Sequence, residues 1–271
     1  MIQELVRLFA GEGITAYGCL TFPEWRITYP SLLERTVPGA VSAVFFLIPY
    51  YVSDRKERNL SLYAVPRDYH LYGKDLGERL LPVLRNAYPD NRFALFLDHS
   101  PFDERYCAAR AGLGMLGENG LLIHKKFGSY VFIAEIVSDM VLGENDAGEI
   151  SHCPGCGACR RACPKKESCL SAVTQKKGVL SEAETVLIRQ NGSAWGCDLC
   201  QTVCPFNKGA EETPIAFFRE DLIWHLTSGM LNEMEQDAFS SRAYAWRKRE
   251  TILRNLMILE KEENAAVPDA E

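Results

Sequence analysis

The sequence predicts an α+β protein in three parts: an N-terminal half of alternating helices and strands, a cysteine-rich centre, and a short helical C-terminal segment. Three observations carry this. Apolar residues switch between helical and strand spacing up to about residue 145, eight of the ten cysteines fall between 153 and 204, and apolar residues recur every three to four positions from 211 onward. The expected boundaries are 1–145, 146–210 and 211–271.

Ile2, Leu5, Val6 and Phe9 lie at helical spacing, and Gly11 and Gly13 then break the run before the strand-like TAYGCL. AVSAVFFLIPYY is a continuous apolar run, as expected of a strand covered on both faces. A helix is expected over 73–87, a strand over 92–97 and a helix over 103–111. The glycine-rich GLGMLGENG reads as a turn region and SYVFIAEIV as a strand. Between 152 and 207 periodicity fades, and the segment lacks the residues for an apolar core of its own. FFREDLIWHLTSGML and RKRETILRNLMILEKEE then read as helices, and NAAVPDAE as a frayed tail.

With 271 residues, 47% of them hydrophobic, the chain can bury a sizeable core, and its formal net charge of -6 argues against a surface that coats nucleic acid generally. Local basic groups stand out: Arg160, Arg161, Lys165 and Lys166; His124, Lys125 and Lys126; and Arg242, Arg247, Lys248, Arg249 and Arg254. Acidic residues interrupt the N-terminal apolar run, so neither a signal nor a transit peptide is expected, and no apolar stretch reaches the roughly 18 residues of a membrane helix. A cytoplasmic, monomeric protein with no membrane association is the expectation.

Cys153, Cys156, Cys159 and Cys163 follow C-x2-C-x2-C-x3-C-P, the spacing of bacterial ferredoxins, in which the fourth cysteine ligates the other cluster. Cys197, Cys200 and Cys204 give the latter part of a second such motif, and Cys169 is the candidate for its displaced first ligand. The expected ligand sets are Cys153, Cys156, Cys159 and Cys204 for one [4Fe-4S] cluster, and Cys163, Cys169, Cys197 and Cys200 for the second. Zinc fits the three-fold run poorly, and disulfides need an oxidising compartment. Cys19 and Cys107 read as small buried hydrophobes. Clusters saturated with thiolates carry electrons and leave no open position for a substrate, so the chemistry belongs elsewhere.

Asp98 stands at the end of a predicted strand beside a glycine-rich turn, where α/β folds place ligand sites. GLGMLG lacks the preceding strand and the distant acidic partner of a dinucleotide fingerprint.

L-D-H-S-P-F-D-E-R, A-G-L-G-M-L-G-E-N-G-L-L-I, G-S-Y-V-F-I-A-E-I, the cysteine run and W-G-C-D-L-C-Q-T-V-C-P-F-N, in this order, resemble the epoxyqueuosine reductases. Y-A-V-P-R-D-Y-H upstream and R-K-R-E-T-I-L-R-N-L downstream are similar to the same family. The resemblance implies an N-terminal corrinoid-binding (cobalamin) α/β domain, a bacterial-ferredoxin-like two-cluster domain, and Asp98 as proton donor for the reduction of epoxyqueuosine in tRNA. It also implies a cobalamin site among Tyr69, His70, Arg105, Gly112, Gly114, Gly117, Asn119, Gly128 and Ser129. A low-potential donor such as flavodoxin or ferredoxin would supply the electrons.

Three departures accompany the likeness. Met115 and Glu118 replace the residues of the family's G-W-I-G-K-N, C-P-F-N replaces C-P-W-N, and the expected helical repeats end after about one helix. Two other readings stay open: a corrinoid reductase for a small molecule, and a non-catalytic electron-transfer protein. D-Y-H-L-Y-G matches D-x-H-x-x-G, the pattern of histidine-ligated corrinoids, but without its downstream glycines His70 reads as a pocket-wall residue. The structural alternative for Asp98 is a cap on the helix near Asp103 or a pair with Arg105.

Overall fold

The computed structural model describes residues 1–53, 57–164 and 169–263. Lys165, Lys166 and the expected C-terminal tail lie outside the described residues. Two compact units emerge, each assembled from separate stretches: Met1–Tyr51, His70–Cys156 and Pro205–Ile215 form the first, and Val52–Tyr69, Gly157–Cys204 and Ala216–Glu271 the second. The boundaries at 145 and 210 follow changes in residue type, whereas contacts group the chain differently, moving 52–69 into the second unit and 205–215 into the first.

In the first unit, α1 (Gln3–Gly11) buries Leu5 and Phe9. Strand β1 (Tyr17–Thr21), helix α2 (Pro30–Thr36) and strand β2 (Ser42–Pro49) follow. Helix α3 (Tyr69–Ala87) starts four residues earlier than expected, and strand β3 (Phe93–Leu97) and helix α4 (Glu104–Arg110) come next. The glycine-rich region holds a small hairpin, β4 (Met115–Leu116) with β5 (Leu122–Ile123), ahead of β6 (Val131–Ser138).

The main sheet runs β1-β2-β6-β3, and every pair is antiparallel. Alternating helix and strand therefore builds an α+β layer rather than parallel strands joined by crossovers. All eight residues of β2 are buried, as an apolar run covered on both faces requires. On one face Phe45, Leu47 and Val137 pack with Phe102, Cys107 and Ala108. On the other, Phe9 lies 4.8 Å from Phe46, ring centre to ring centre. Gly73 of α3 faces Leu97 so closely that a Cβ would stand 2.5 Å from its Cδ2. Cys19 and Cys107 are fully buried, as small apolar side chains.

The second unit is helical: α5 (Ala158–Ala162), α6 (Leu170–Thr174), α7 (Glu182–Gln190), α8 (Leu199–Thr202), α9 (Ser228–Glu233), α10 (Gln236–Ser240) and α11 (Arg249–Glu263). Its core joins Leu60, Ala64 and Val65 to Trp195, Leu226, Tyr244 and Ile252. The cysteine-rich stretch thus shares an apolar core with chain on either side of it.

FFREDLIWHLTSGML, expected as a helix, is a 3-10 turn at Ala216–Arg219 followed by irregular chain up to α9. Asp221 takes φ 50, and the next backbone groups bond elsewhere: Ile223 N donates to Val65 O, and Leu226 N to Asn59 Oδ1. Two partners distant in sequence outbid the local helical spacing.

No helix among the described residues is long and apolar enough to cross a membrane.

Asn255 of α11 is fully buried, and its Nδ2 donates to Thr174 O at 2.7 Å and Ala194 O at 2.8 Å. Asn255→Leu keeps the volume but strands two buried carbonyls, so chemical denaturation is expected to show a loss of about 2–4 kcal/mol.

Candidate functional site

Strand β3 delivers Asp98 to the open end of the sheet. Asp98 adopts φ 68, a left-handed conformation that costs a non-glycine residue about 1 kcal/mol or more, and His99 N closes the turn onto Leu97 O at 2.9 Å. The Asp98 side chain is 61% exposed, and its Oδ2 lies 3.4 Å from His70 Nε2 at the start of α3. Asp98 does not cap α4: Asp103 does, its side chain accepting from Tyr106 N. Arg105 donates instead to Gly120 O at 2.6 Å, tying α4 to the hairpin turn. His99 packs toward Tyr29, ring centres 6.1 Å apart.

Sequence reasoning missed two carboxyls behind Asp98. Glu104 opens α4, and Glu135 lies in β6 opposite both Phe45 and Phe96, fully buried on the α4 face of the sheet. Ser100 Oγ donates to Glu135 Oε1 at 2.5 Å and accepts from Phe102 N at 3.0 Å. Glu104 Oε1 and Glu135 Oε2 are sealed from solvent with no hydrogen-bond partner. Burial, then the Asp98 charge, push the Glu104 carboxyl up to about 8, opposed by a hydrogen bond from the Asp98 backbone and by Arg105. Burial, reinforced by Glu104, raises Glu135 well above the carboxylate range.

Residues proposed from sequence for a cofactor loop are mostly engaged within the chain. Asn119 Oδ1 accepts from Leu121 N within the hairpin turn, and Gly114 packs so tightly that a Cβ would stand 2.4 Å from Ile123 O. Gly128 and Ser129 clasp Asn207, a residue that sequence reasoning did not single out. Ser129 N donates to Asn207 Oδ1 at 2.8 Å, and Asn207 Nδ2 to Ser129 Oγ at 2.9 Å. Gly112 alone of these glycines is open, with φ 76 and no atom within 4 Å of where a Cβ would stand. Tyr69 lies 6.4 Å from Tyr63, ring to ring, in the second unit.

The hairpin also fixes a cysteine. Leu116 N donates to Ser151 O and Cys153 N to Leu116 O, both at 2.9 Å, so 151–153 runs alongside β4. Glu118 N then points at Cys153 Sγ, 3.3 Å away, and the Glu118 carboxyl sits beside Gly155. In the second unit α5 packs on α8. Burial pushes the Cys200 thiol up to about 11, with Cys197, Cys169 and Cys159 adding to it; Cys197 is raised by burial, with Asp198, Cys169 and Cys163 adding. Such crowding opposes thiolates in isolation, and positively charged iron reverses the preference. Asp198, between Cys197 and Cys200, accepts from Arg58 Nη1 at 2.8 Å, Ser61 Oγ at 2.6 Å and Leu62 N at 2.7 Å. Among the described residues no three His, Cys, Asp or Glu converge as a single-ion site needs. An iron-sulfur cube holds its thiolates at separate corners.

Four of the basic residues singled out from sequence are committed within the protein. Arg242 is buried and donates to Asp221 O at 2.6 Å; Arg249 donates to Leu231 O and Met234 O; Arg254 donates to Lys176 O and Gly178 O. Lys126 pairs with Glu211 at 3.0 Å. Exposed Arg160 and Arg161 lie on α5, and the Arg247 guanidinium sits 3.8 Å over the half-exposed Trp246 ring.

Residues 152–208 match the 4Fe-4S dicluster domain family. With the antiparallel α+β layer, this defines a two-part iron-sulfur protein. An epoxyqueuosine reductase from Cyclobacterium marinum is 30% identical over 248 residues, 84% of this chain and 79% of that protein. The chain belongs to the epoxyqueuosine reductase family. It spans between 54% and 79% of the length of the curated relatives compared, for several of them under two thirds. Among solved structures, an epoxyqueuosine reductase with a tRNA-Tyr epoxyqueuosine-modified stem loop superimposes with a TM-score of 0.79 at 23% identity, over 97% of this chain and 82% of that one. The Bacillus subtilis enzyme, with an aspartate-bearing catalytic loop swung out of the active site, gives 0.78 at 24%, with the same coverage. These two likenesses speak to fold alone.

Hydrogen bonds and charge around ligand sulfurs set cluster potentials. With Cys153 as an iron ligand, Glu118→Lys replaces a nearby negative charge by a positive one, which favours the reduced cluster. A redox titration followed by electron paramagnetic resonance is expected to show a more positive midpoint potential for one cluster and an unchanged one for the other.

Proposed function

We propose that this protein reduces epoxyqueuosine in tRNA to queuosine, with Asp98 as the proton donor and two [4Fe-4S] clusters and cobalamin as cofactors. The observation that carries the reading is Asp98 itself: an exposed carboxyl on a strained turn at a strand end, paired with His70, in a chain of this family. The names of the solved relatives agree with it, one holding an epoxyqueuosine-modified tRNA stem loop and another having a catalytic loop that carries an aspartate.

Leu97 and Phe132, half-buried on the paired strands β3 and β6, would give a large, flat ligand beside Asp98 an apolar border. When bound, the corrinoid supplies a cobalt-centred reductant, fed from a low-potential carrier such as flavodoxin or ferredoxin through the clusters. Cys153, Cys156, Cys159 and Cys204 hold one cluster in this reading, and Cys163, Cys169, Cys197 and Cys200 the other. Asp98 covered by such a ligand loses solvent, which raises its carboxyl and keeps a proton available near neutral pH. In its acid form it protonates the departing epoxide oxygen; His70, 3.4 Å away, holds the carboxyl in place.

A small-molecule substrate is favoured by one observation: Arg242, Arg249 and Arg254, three cations of the basic C-terminal segment, bond to carbonyls of the protein itself and so do not serve phosphates. Absence of binding to an epoxyqueuosine stem loop at low salt would put that reading first.

Anaerobically purified protein is expected to hold about eight iron atoms per chain, falling to about four in Cys169→Ser. An unchanged iron content and spectrum in that variant would remove Cys169 from the ligand set.

Asp98→Asn is nearly isosteric and is expected to retain clusters and corrinoid while slowing single-turnover reduction by about 100- to 10,000-fold. A rate within a few-fold of the unmodified protein, with cofactors bound, would end the general-acid assignment.

A further inference from the structure

Cys197 and Cys200 stand on a loop that the chain grips from a segment far away in sequence. Ser61 N donates to Trp195 O at 2.8 Å and Ala194 N to Asn59 O at 2.7 Å, so 59–61 runs alongside 194–195. Gly196 follows with φ 72, and a Cβ there would stand 2.4 Å from Ser61 Cβ. The grip closes on Asp198, whose side chain is 1% exposed. Its Oδ1 accepts from Ser61 Oγ at 2.6 Å and Gln201 Nε2 at 3.1 Å, and its Oδ2 from Arg58 Nη1 at 2.8 Å and Leu62 N at 2.7 Å. Arg58 Nη1 is itself anchored on Leu60 O at 2.9 Å.

A buried carboxylate between two candidate cluster ligands needs a physical reason. A cluster held by four thiolates is an anion, and a further negative charge beside it opposes the arrival of an electron. A neutral amide would avoid that penalty, but its hydrogen bonds to the loop would be weaker than those of a charged group. The arrangement meets both needs. Arg58 sets a cation directly on the carboxylate, and among the described residues these two carry the only charged side chains lining the cavity of about 220 Å³ that reaches Cys197.

We infer that Arg58 and Asp198 form a charge-neutral clamp on the second cluster, holding the Cys197–Cys200 loop by charge-assisted hydrogen bonds while cancelling the field that either charge alone would impose on the cluster. The inference rests on the assignment of Cys163, Cys169, Cys197 and Cys200 as the ligands of that cluster. Both are positioning residues: they touch the ligand loop and act on the iron through it. An unpaired anion here would make the cluster refuse electrons from a low-potential carrier, and an unpaired cation would make it keep them. The pair leaves the cluster free to accept and to pass them on.

The test is a redox titration of the cluster-loaded protein, followed by electron paramagnetic resonance, with the second cluster identified as the signal lost in Cys169→Ser. Asp198→Asn leaves Arg58 uncompensated and is expected to raise that midpoint; its amide oxygen can keep Arg58 and Leu62 while its NH2 turns to Ser61 Oγ, which can accept. Arg58→Gln leaves Asp198 uncompensated and is expected to lower it. Each shift is expected to reach about 59 mV, a tenfold change in the ratio of reduced to oxidised cluster for one electron. Arg58→Lys, which keeps the charge, and the double variant Arg58→Gln/Asp198→Asn, which removes both charges, are expected to titrate close to the unsubstituted protein, and the first cluster is expected to be unmoved throughout. Loss of packing alone would not send the two single variants in opposite directions and bring the double variant back. Single variants that shift the same way or not at all, or a double variant displaced as far as either, overturn the inference. Where a single variant retains only about four irons, the double variant must regain about eight, and its failure to do so overturns it equally. An unsubstituted protein with about four irons defeats the two-cluster assignment and the clamp together, whereas two clusters with unmoved midpoints defeat the clamp alone.

Discussion

Strand β6 is the constraint on which the first unit depends. It is hydrogen bonded on both sides, to β2 over Ser42–Pro49 and to β3 over Phe93–Leu97, so its register decides what sits at the open end of the sheet. The pairing of Leu97 with Ala134 fixes where β3 stops, and Asp98 is the first residue beyond it. The pairing of Phe96 with Glu135 sends a carboxyl to the α4 face, among Phe45, Phe102 and Cys107. A slip of one residue would turn Glu135 to the opposite face and put an apolar neighbour on the α4 face. The apolar residues of β6 thus enforce a register that sets Asp98 at the strand end and Glu135 among the α4-facing core.

Much of the frame was legible because the physical signals were unambiguous. β2 declares itself as an unbroken apolar run, α1 by helical spacing ended at Gly11 and Gly13, and the cysteines by a spacing that few other sites share. Asp98 was singled out by its position between a strand and a glycine-rich turn, and its role by the resemblance to the family. The hairpin β4–β5 was hidden because GLGMLGENG has too few side chains for periodicity to register, and its two-residue strands are specified by backbone pairing and tight glycine contacts. The stretch from Phe217 to Leu231 read as a helix because apolar spacing says nothing about distant competitors, here Asn59 and Val65. Glu135 carried a signal that passed unread: in VFIAEIV it shares the alternation of Val131, Ile133 and Val137, so one inward position of a buried strand is acidic. Glu104 carried none, since an acidic residue in the first turn of a helix is ordinary.

Part of the charge in this chain is structural. Arg249 and Arg254 bond to the carbonyls of neighbouring segments, Arg58 neutralises buried Asp198, and Arg105 ties a helix to a turn. A count of lysines and arginines along the sequence therefore overstates the cationic surface. Arg160 and Arg161 are exposed on α5, and the half-buried Arg247 stacks its guanidinium over the Trp246 ring.

The run of backbone hydrogen bonds that seats Cys153 beside Leu116 needs no iron. Ordering a ligand costs conformational entropy, and for most metal-binding loops that cost is met at the moment the metal arrives. Here it is met when the hairpin folds, because Leu116 N, Cys153 N and Glu118 N already fix the chain on either side of the sulfur. The position of the Cys153 thiol is therefore set by the hairpin itself, and whatever the sulfur binds meets a side chain whose ordering cost has already been met.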